Sequence, residues 1–412
     1  MSIFRPDTEA QVLDAVRWAV AEAQPLEVAG HGSKRGLGRP VQAAHTLDLS
    51  ALSGIVAYEP EELILVVRPG TPLAELRTVL AGRGQCLAFE PPDLAPLWGG
   101  APDAGTVGGT VAAGLSGPAR LRAGAARDHM LGVTAVSGRG ELFRAGGRVV
   151  KNVTGYDLPK LLTGSFGTLA VMTELVLKVL PAAELSRTLV LAGLEGRHAV
   201  QAMADAMGSP AEVSGAAWVP SDLGLPGIPP RTPSVALRLE GVAVSVAARL
   251  SHLTTLLGGR AATAVLEPAE SAAFWARLRD AAPLVERPDL VVWKLSVPPM
   301  EGAAVLERVR RAVPGTLGWL DWAGGLVWLG LPPPAEAGAD SQAAAQAAVV
   351  RAAIGGAGGH ATLVRAPEPV RAAVPVFQPQ PPALAALSAR VRHQFDPKGV
   401  LNPGRMELGA AA

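Results

Sequence analysis

The residues that could do chemistry in this chain sit in three glycine-dense runs. Gly30-His31-Gly32-Ser33-Lys34-Arg35-Gly36 follows a short apolar segment, Leu26-Glu27-Val28-Ala29. Gly105-Thr106-Val107-Gly108-Gly109-Thr110 and Gly164-Ser165-Phe166-Gly167-Thr168 come later. Glycine beside β-branched residues suits a backbone that must let something bulky and polar come close. A strand ending in a glycine loop places backbone N–H groups where a phosphate could sit. Thr106-Val107-Gly108-Gly109 could bring a helix N-terminus to a pyrophosphate. The Gly164–Gly167 turn leads into the segment Thr168–Thr173, whose backbone could hydrogen-bond the edge of a ring.

Other patterns point elsewhere and fit less well. Gly30-x-Gly32-x-x-x-Gly36 departs from the dinucleotide fingerprint, because Gly36-Leu37-Gly38-Arg39-Pro40 breaks the helix that fingerprint needs. Tyr156-x-x-x-Lys160 copies the catalytic pair of the short-chain dehydrogenases, but Pro159 lies between the two residues. Tyr156 and Lys160 are therefore expected to face a cofactor or the core. The seven histidines form no His-Glu-x-x-His pattern and no close pair, so no metal site is expected. No P-loop and no Gly-x-Ser-x-Gly elbow occurs. Trp319, Trp322 and Trp328 read as core or as the lining of a cleft.

Composition narrows the classes further. A chain of 412 residues, 49% hydrophobic and 18% charged, can bury a sizeable core. A net charge of +1 gives no reason to expect nucleic acid. One cysteine, Cys86, cannot hold an iron–sulfur cluster or make an internal disulfide. No apolar run is long enough to span a bilayer and no signal peptide is evident. The expectation is a cytoplasmic protein, with peripheral association at the inner face of the membrane left open.

The elements that must position these residues alternate. Thr8 with Gln11 predicts a capped helix with Val12, Leu13, Val16 and Val20 on one face. Short strands are expected at Leu26–Ala29, 46–49, 54–58 and 62–68. A helix should start at Thr71-Pro72, with Leu73, Leu76, Val79 and Leu80 inward. Beyond Pro181 strands and helices continue, with helices near 199–207, 243–257, 341–354 and 383–395. Residues 332–340 read as a flexible connection. Residues 367–382, with six prolines, read as a linker.

Taken together these residues resemble the FAD-binding domain of the vanillyl-alcohol-oxidase/PCMH flavoproteins. The resemblance rests on Gly30–Gly36, Pro69-Gly70, Gly105–Gly109, Gly164–Glu174 and Asp396-Pro397-Lys398-Gly399-Val400-Leu401-Asn402-Pro403-Gly404. Within that family the chain is most similar to the FAD-binding (E) subunits of three-component bacterial glycolate oxidases. The pointers are Lys151–Asp157, Trp98-Gly99-Gly100, Leu320-Asp321-Trp322 and Gly358-Gly359-His360. The resemblance implies an α+β fold: a two-lobed PCMH-type FAD-binding domain (1–185), an α+β antiparallel-sheet cap (186–375) and a C-terminal return (376–412). It implies that Gly30, His31, Gly32, Ser33 and Lys34 line the pyrophosphate site, continued by Gly105, Thr106, Gly108 and Gly109. It places Asp128, Gly164, Ser165, Gly167, Thr168 and Val171 near adenine, ribose or ring, and Asn402 near the flavin.

Some relatives attach FAD through a histidine in the first loop. Ser33 stands at that position here, so FAD is expected to be non-covalent. The expected reaction is oxidation of glycolate, a 2-hydroxy acid, to glyoxylate. His360 is the candidate base and Arg365 the candidate carboxylate cation. The expected partners are a second FAD-containing catalytic subunit and an iron–sulfur subunit. The alternatives are a structural or assembly subunit of that complex and an independent FAD-dependent oxidoreductase.

Overall fold

The computed structural model describes residues 2–148, 155–333 and 339–406. Lys151-Asn152-Val153-Thr154 and most of the expected connection at 332–340 lie outside the described residues. The chain divides into two compact units. The first comprises residues 1–116, 124–182 and 379–412; the second comprises 117–123 and 183–378.

Among the described residues the first unit carries three sheets, the smallest being the antiparallel pairing of Gln85–Cys86 with Leu180–Pro181. A small parallel sheet orders Ser2–Phe4, His45–Asp48 and Leu26–Ala29. The helix Glu9–Glu22 covers it, burying Val12, Ala15, Val16 and Ala19 at helical spacing. Thr8 Oγ accepts from Gln11 N, as expected of its cap. The reciprocal bond runs one residue earlier than the capping-box pattern, from Asp7 N to Gln11 Oε1.

An antiparallel five-stranded sheet orders Ile55–Glu59, Ile64–Val67, Ala170–Lys178, Met130–Ser137 and Leu142–Gly146. Its core takes in the helix Leu73–Ala81 through Leu73, Leu76 and Leu80. Val79 stays exposed, one residue off that face. The C-terminal segment returns to this unit. Leu401 bridges Leu26 in parallel, and Asp396 receives Val400 N and Leu401 N on its two carboxylate oxygens.

The second unit is an eight-stranded antiparallel sheet. Its order is Ala262–Leu266, Leu185–Ala192, Ser234–Gly241, Gly215–Val219, Leu317–Asp321, Leu326–Leu331, Val291–Ser296 and His360–Arg365. One face, including Leu189, Leu237, Leu320, Val327, Trp293 and Leu363, packs against the helices Gly196–Met207, Ala243–Leu257, Gly302–Ala312 and Ala339–Ile354. Alternation sends Thr188, Arg238, Lys294 and Trp328 to the other face. There the helix Pro268–Arg279 packs, with Trp275 Nε1 donating to Thr188 Oγ1.

Two sequence expectations change here. The proline-rich stretch 367–382 contains the helix Glu368–Ala373, because Pro369 falls in the first turn, where its missing N–H costs no helix bond. Tyr156 reaches neither core nor cavity: it is 90% exposed, and Lys160 pairs at the surface with Asp157 at 3.0 Å. Asp157 caps the short helix Leu158–Leu162, and that helix starts too late to carry both residues of the pair on one face.

Candidate functional site

The loop after Leu26–Ala29 leaves a row of donors without protein acceptors. Among the described residues, no backbone N–H from Gly30 to Lys34 meets an acceptor, while Arg35 N already closes a turn onto Gly32 O. Gly32 sits at φ +72°, a left-handed position that glycine reaches without strain. Successive N–H groups around such a residue form an anion-binding concavity.

Lys34 sharpens that concavity. Burial pulls its ammonium from the usual lysine range down to about 8, against the opposing pull of Asp93. Its one described hydrogen bond is a long one, to Ser33 Oγ at 3.4 Å. A buried cation so weakly partnered is costly unless an anion completes it.

The glycine wall opposite is shaped by contact. A Cβ on Gly30 would stand 2.7 Å from Thr106 Oγ1, and one on Gly105 would stand 3.3 Å from Lys34 Nζ. A Cβ on Gly108 would meet Pro69 at 2.5 Å. Gly30 thus lies against Thr106, and Gly108 against Pro69, more closely than a side chain would allow. The helix Val107–Ala112 contributes differently from the sequence expectation. Val107 N donates to Thr71 O, Gly108 N to Pro69 O and Gly109 N to Thr106 Oγ1. Its first-turn donors are thus engaged within the chain, so positive charge in the site comes from Lys34 and the free N–H row.

Two adjoining cavities open between these elements. Gly30, Thr106, Gly109 and Asn402 line both. His31, Gly32, Ser33 and Lys34 line the first, which is the polar, cationic one. Gly108, Gly167 and Val171 line the second together with Leu49, Pro69 and Met172, giving it apolar walls. The donor set and shape fit a dinucleotide with a diphosphate in the first cavity and a flat ring in the second.

Asn402 joins the walls. Its Oδ1 accepts from Val28 N at 2.8 Å, its Nδ2 donates to Phe166 O at 2.8 Å, and its own N donates to Leu26 O. It holds φ +45°, where asparagine is among the better-tolerated residues. Both polar ends of its side chain are used to pin the Phe166 turn to the strand Leu26–Ala29. Asn402→Ala should lower unfolding free energy by about 2–3 kcal/mol, from two lost hydrogen bonds and an unfavourable backbone angle. Chemical denaturation measures this, and a change under about 0.5 kcal/mol would contradict the clamp.

Other expected site residues are placed less directly. The Gly164–Thr168 turn is stitched to the C-terminal end of the helix Val107–Ala112 through Gly164 N to Val111 O and Phe166 N to Ala112 O. Ser165 and Thr168 bond to each other, Thr168 Oγ1 to Ser165 O at 2.7 Å. They support the cavity wall without lining it. Asp128 lines neither cavity. Its Oδ2 accepts from Ala125 N and closes the turn Ala126–His129.

His360 and Arg365, expected to act together, stand at the two ends of the strand His360–Arg365. The strand rise separates them by about 17 Å. Arg365 donates to the carbonyls of Leu284, Arg287 and Leu290, so its guanidinium anchors a neighbouring turn. The pairing fails because closeness in sequence along an extended strand is distance in space. His360 keeps solvent contact at the strand's end, while partial desolvation by the atoms packed around its ring first, then Lys294 and Arg120, hold its imidazole below the ordinary histidine range.

Residues missed from sequence include Arg405. It donates to Arg35 O and Leu37 O and pairs with Glu27 at 3.3 Å, fixing the far end of the Gly30–Pro40 loop. Phe166 was missed too. It lines both cavities at φ +55°, and its place between Gly164 and Gly167 was the available signal.

The chain is an FAD-linked flavoprotein, and the residues of the cradle fit that cofactor. The FAD binding domain family matches residues 2–146. The chain is 34% identical to the glycolate oxidase subunit GlcE of Escherichia coli (strain K12) over 401 residues, 97% of each chain. It belongs to the GlcE family of glycolate oxidase subunits. A shorter match, 30% identical over 37% of this chain and 30% of the relative, is to glycolate oxidase subunit GlcD of Bacillus subtilis (strain 168). Among solved structures, 4-ethylphenol oxidase from Gulosibacter chungangensis has the same fold: TM-score 0.71 at 16% identity, over 98% of this chain and 88% of that one. An alkyldihydroxyacetonephosphate synthase matches at TM-score 0.70 and 15% identity, over 97% and 76%. Among the described residues no helix is long and apolar enough to cross a membrane.

Proposed function

We propose that the chain is the FAD-binding subunit of a glycolate oxidase or dehydrogenase complex. The observation that carries this reading is the cradle: a row of unaccepted N–H groups beside the buried ammonium of Lys34, opening into an apolar second cavity. Gly30–Lys34 would hold the diphosphate. The wall of Gly108, Gly167, Val171 and Met172 would receive the ring, with no side chain at either glycine to block it. We take the first unit as the FAD-binding domain and the second as its cap.

When bound, FAD supplies a two-electron acceptor for the hydride on the α-carbon of a 2-hydroxy acid. The chain's part is to orient the acid and receive its hydroxyl proton. His360, held neutral near pH 7 by partial desolvation and by two cations, is our candidate for that proton. Electrons would then pass to a second flavoprotein and an iron–sulfur partner, since Cys86 alone cannot hold a cluster. FAD would be held without a covalent bond, because the loop offers Ser33 at the attachment position.

Purified chain should be yellow and release its flavin on acid precipitation. Anaerobic glycolate should bleach the absorbance. A colourless protein with no releasable flavin would sink the reading. A yellow protein that glycolate leaves unbleached, alone and in complex, would leave an FAD-bearing assembly subunit. Co-purification without a second flavoprotein or an iron–sulfur protein would argue for an independent oxidoreductase.

A further inference from the structure

The second unit gathers cations on the sheet face opposite its helix-covered core. Lys294 stands on Val291–Ser296 directly across from Trp328 on one side and Thr362 on the other. Trp328 in turn stands across from Trp319, and the two indoles stack at 5.9 Å. In the next rung His360, Ser296, Leu326 and Asp321 run side by side on the same face. Lys294 and His360 are therefore diagonal neighbours, about 7–8 Å apart by backbone spacing.

Trp322 forms a second wall. Its Nε1 donates to Gly117 O at 3.0 Å, which ties the segment Gly117–Ala123 into this unit. Arg120, on that segment, lies 4.2 Å over the Trp322 ring, and Lys294 Nζ lies 5.0 Å from the same ring. Among the described residues, no acceptor hydrogen-bonds the Lys294 ammonium; it faces indoles. Burial and Arg120 together pull it down to about 8, and Asp321 pulls the other way. Asp321 is also occupied locally, accepting from Trp322 N at 2.6 Å. Among the described residues, Arg120 repels the Lys294 charge and both cations act on His360, while Asp321 is the carboxylate that acts on Lys294, all over partly desolvated aromatic walls. An anion entering it would relieve that repulsion and supply Lys294 with its missing acceptor.

We propose that Lys294 and Arg120, set against Trp322, form a binding site for a small carboxylate, with His360 beside it to face the adjoining hydroxyl. This takes over the role expected of Arg365, whose donors are engaged elsewhere. It rests on the reading above that the chain acts on a 2-hydroxy acid.

The test is calorimetric titration of glycolate into the full FAD-loaded chain, with ethylene glycol as the neutral control. Wild type should bind glycolate and show no binding of ethylene glycol. Lys294→Met keeps the aliphatic stem and should weaken glycolate binding by about tenfold or more, the scale of one charge-assisted hydrogen bond. Lys294→Arg should stay within about threefold of wild type, flavin content should not move in either variant, and the melting temperature of the Met variant should not fall, because methionine removes a desolvated charge. The protonated amine is the binding form, so wild-type affinity should hold below about pH 8 and fall above it, while the Arg variant stays flat. Failure of wild type to bind glycolate, equal binding of ethylene glycol, or a Met variant that binds as wild type does would overturn the proposal. A flavin-free preparation would instead defeat the FAD reading, and the glycolate titration would still answer for this site, because Lys294, Arg120 and Trp322 all belong to the second unit.

Discussion

Lys34→Met should weaken FAD binding by about 10- to 100-fold while making the flavin-free protein more stable. The first effect is the loss of a charge-assisted contact to a diphosphate in a partly dry site. The second follows from the lysine's depressed titration. A protonated amine that folding pushes from 10.5 to about 8 is disfavoured in the folded chain at neutral pH, and methionine removes that penalty with little change in shape. A merely structural lysine would behave differently, since its removal would cost stability. The pH dependence has a definite sign. Lys34 is charged below about pH 8, so wild-type FAD affinity should be level there and decline above it as the free protein loses the proton. The Met variant should show no such decline. Flavin fluorescence titrations between pH 6 and 10, with thermal melts of the apo forms, measure both. Equal FAD affinity in the two proteins would remove Lys34 from the site.

Arg405→Met should be the most destabilising single change near the cradle, at about 3 kcal/mol. Its guanidinium is buried, and it satisfies the carbonyls of Arg35 and Leu37 while pairing with Glu27. Removing one partner of a buried pair leaves the other uncompensated. Glu27 retains Arg35 at 3.1 Å, which keeps the loss at the lower end of the range for such pairs. The loop carbonyls have no such reserve, and a methionine cannot donate to them. The Gly30–Pro40 loop should lose its fixed far end, so FAD affinity should fall although Arg405 lies at the cavity's edge. Chemical denaturation and a flavin titration on the same variant check both effects. A full loss of affinity with unchanged stability would instead make Arg405 a direct ligand contact.

Much of the first unit was legible because its signals are local. Thr8 and Gln11 mark a helix start, and Leu73, Leu76 and Leu80 repeat at helical spacing. Gly30, Gly108 and Gly167 mark places where a side chain would strike Thr106, Pro69 or Asn402. Glycine density therefore located the cradle's walls. It misled about the donors. The motif around Thr106 looked like a helix N-terminus offered to a phosphate, yet its N–H groups bond to Thr71, Pro69 and Thr106 itself. Whether a donor is free depends on what else packs against it, and no motif carries that.

The second unit was less legible. His360 and Arg365 looked close in sequence, but a strand keeps them apart and turns Arg365 into a carbonyl anchor. Lys294 and Arg120 lie 174 positions apart in sequence and meet over one indole. Nothing in either's local sequence marks it, because the sheet register and the docking of Gly117–Ala123 bring them together.

The sequence by itself determined the glycine positions, the family they point to, and the lack of cysteines for a cluster. These are properties of residue type and short spacing. Only the tertiary structure decided which backbone donors remain open, which lysines are desolvated, and which cations share a wall. Those depend on burial and on contacts between segments far apart in the chain.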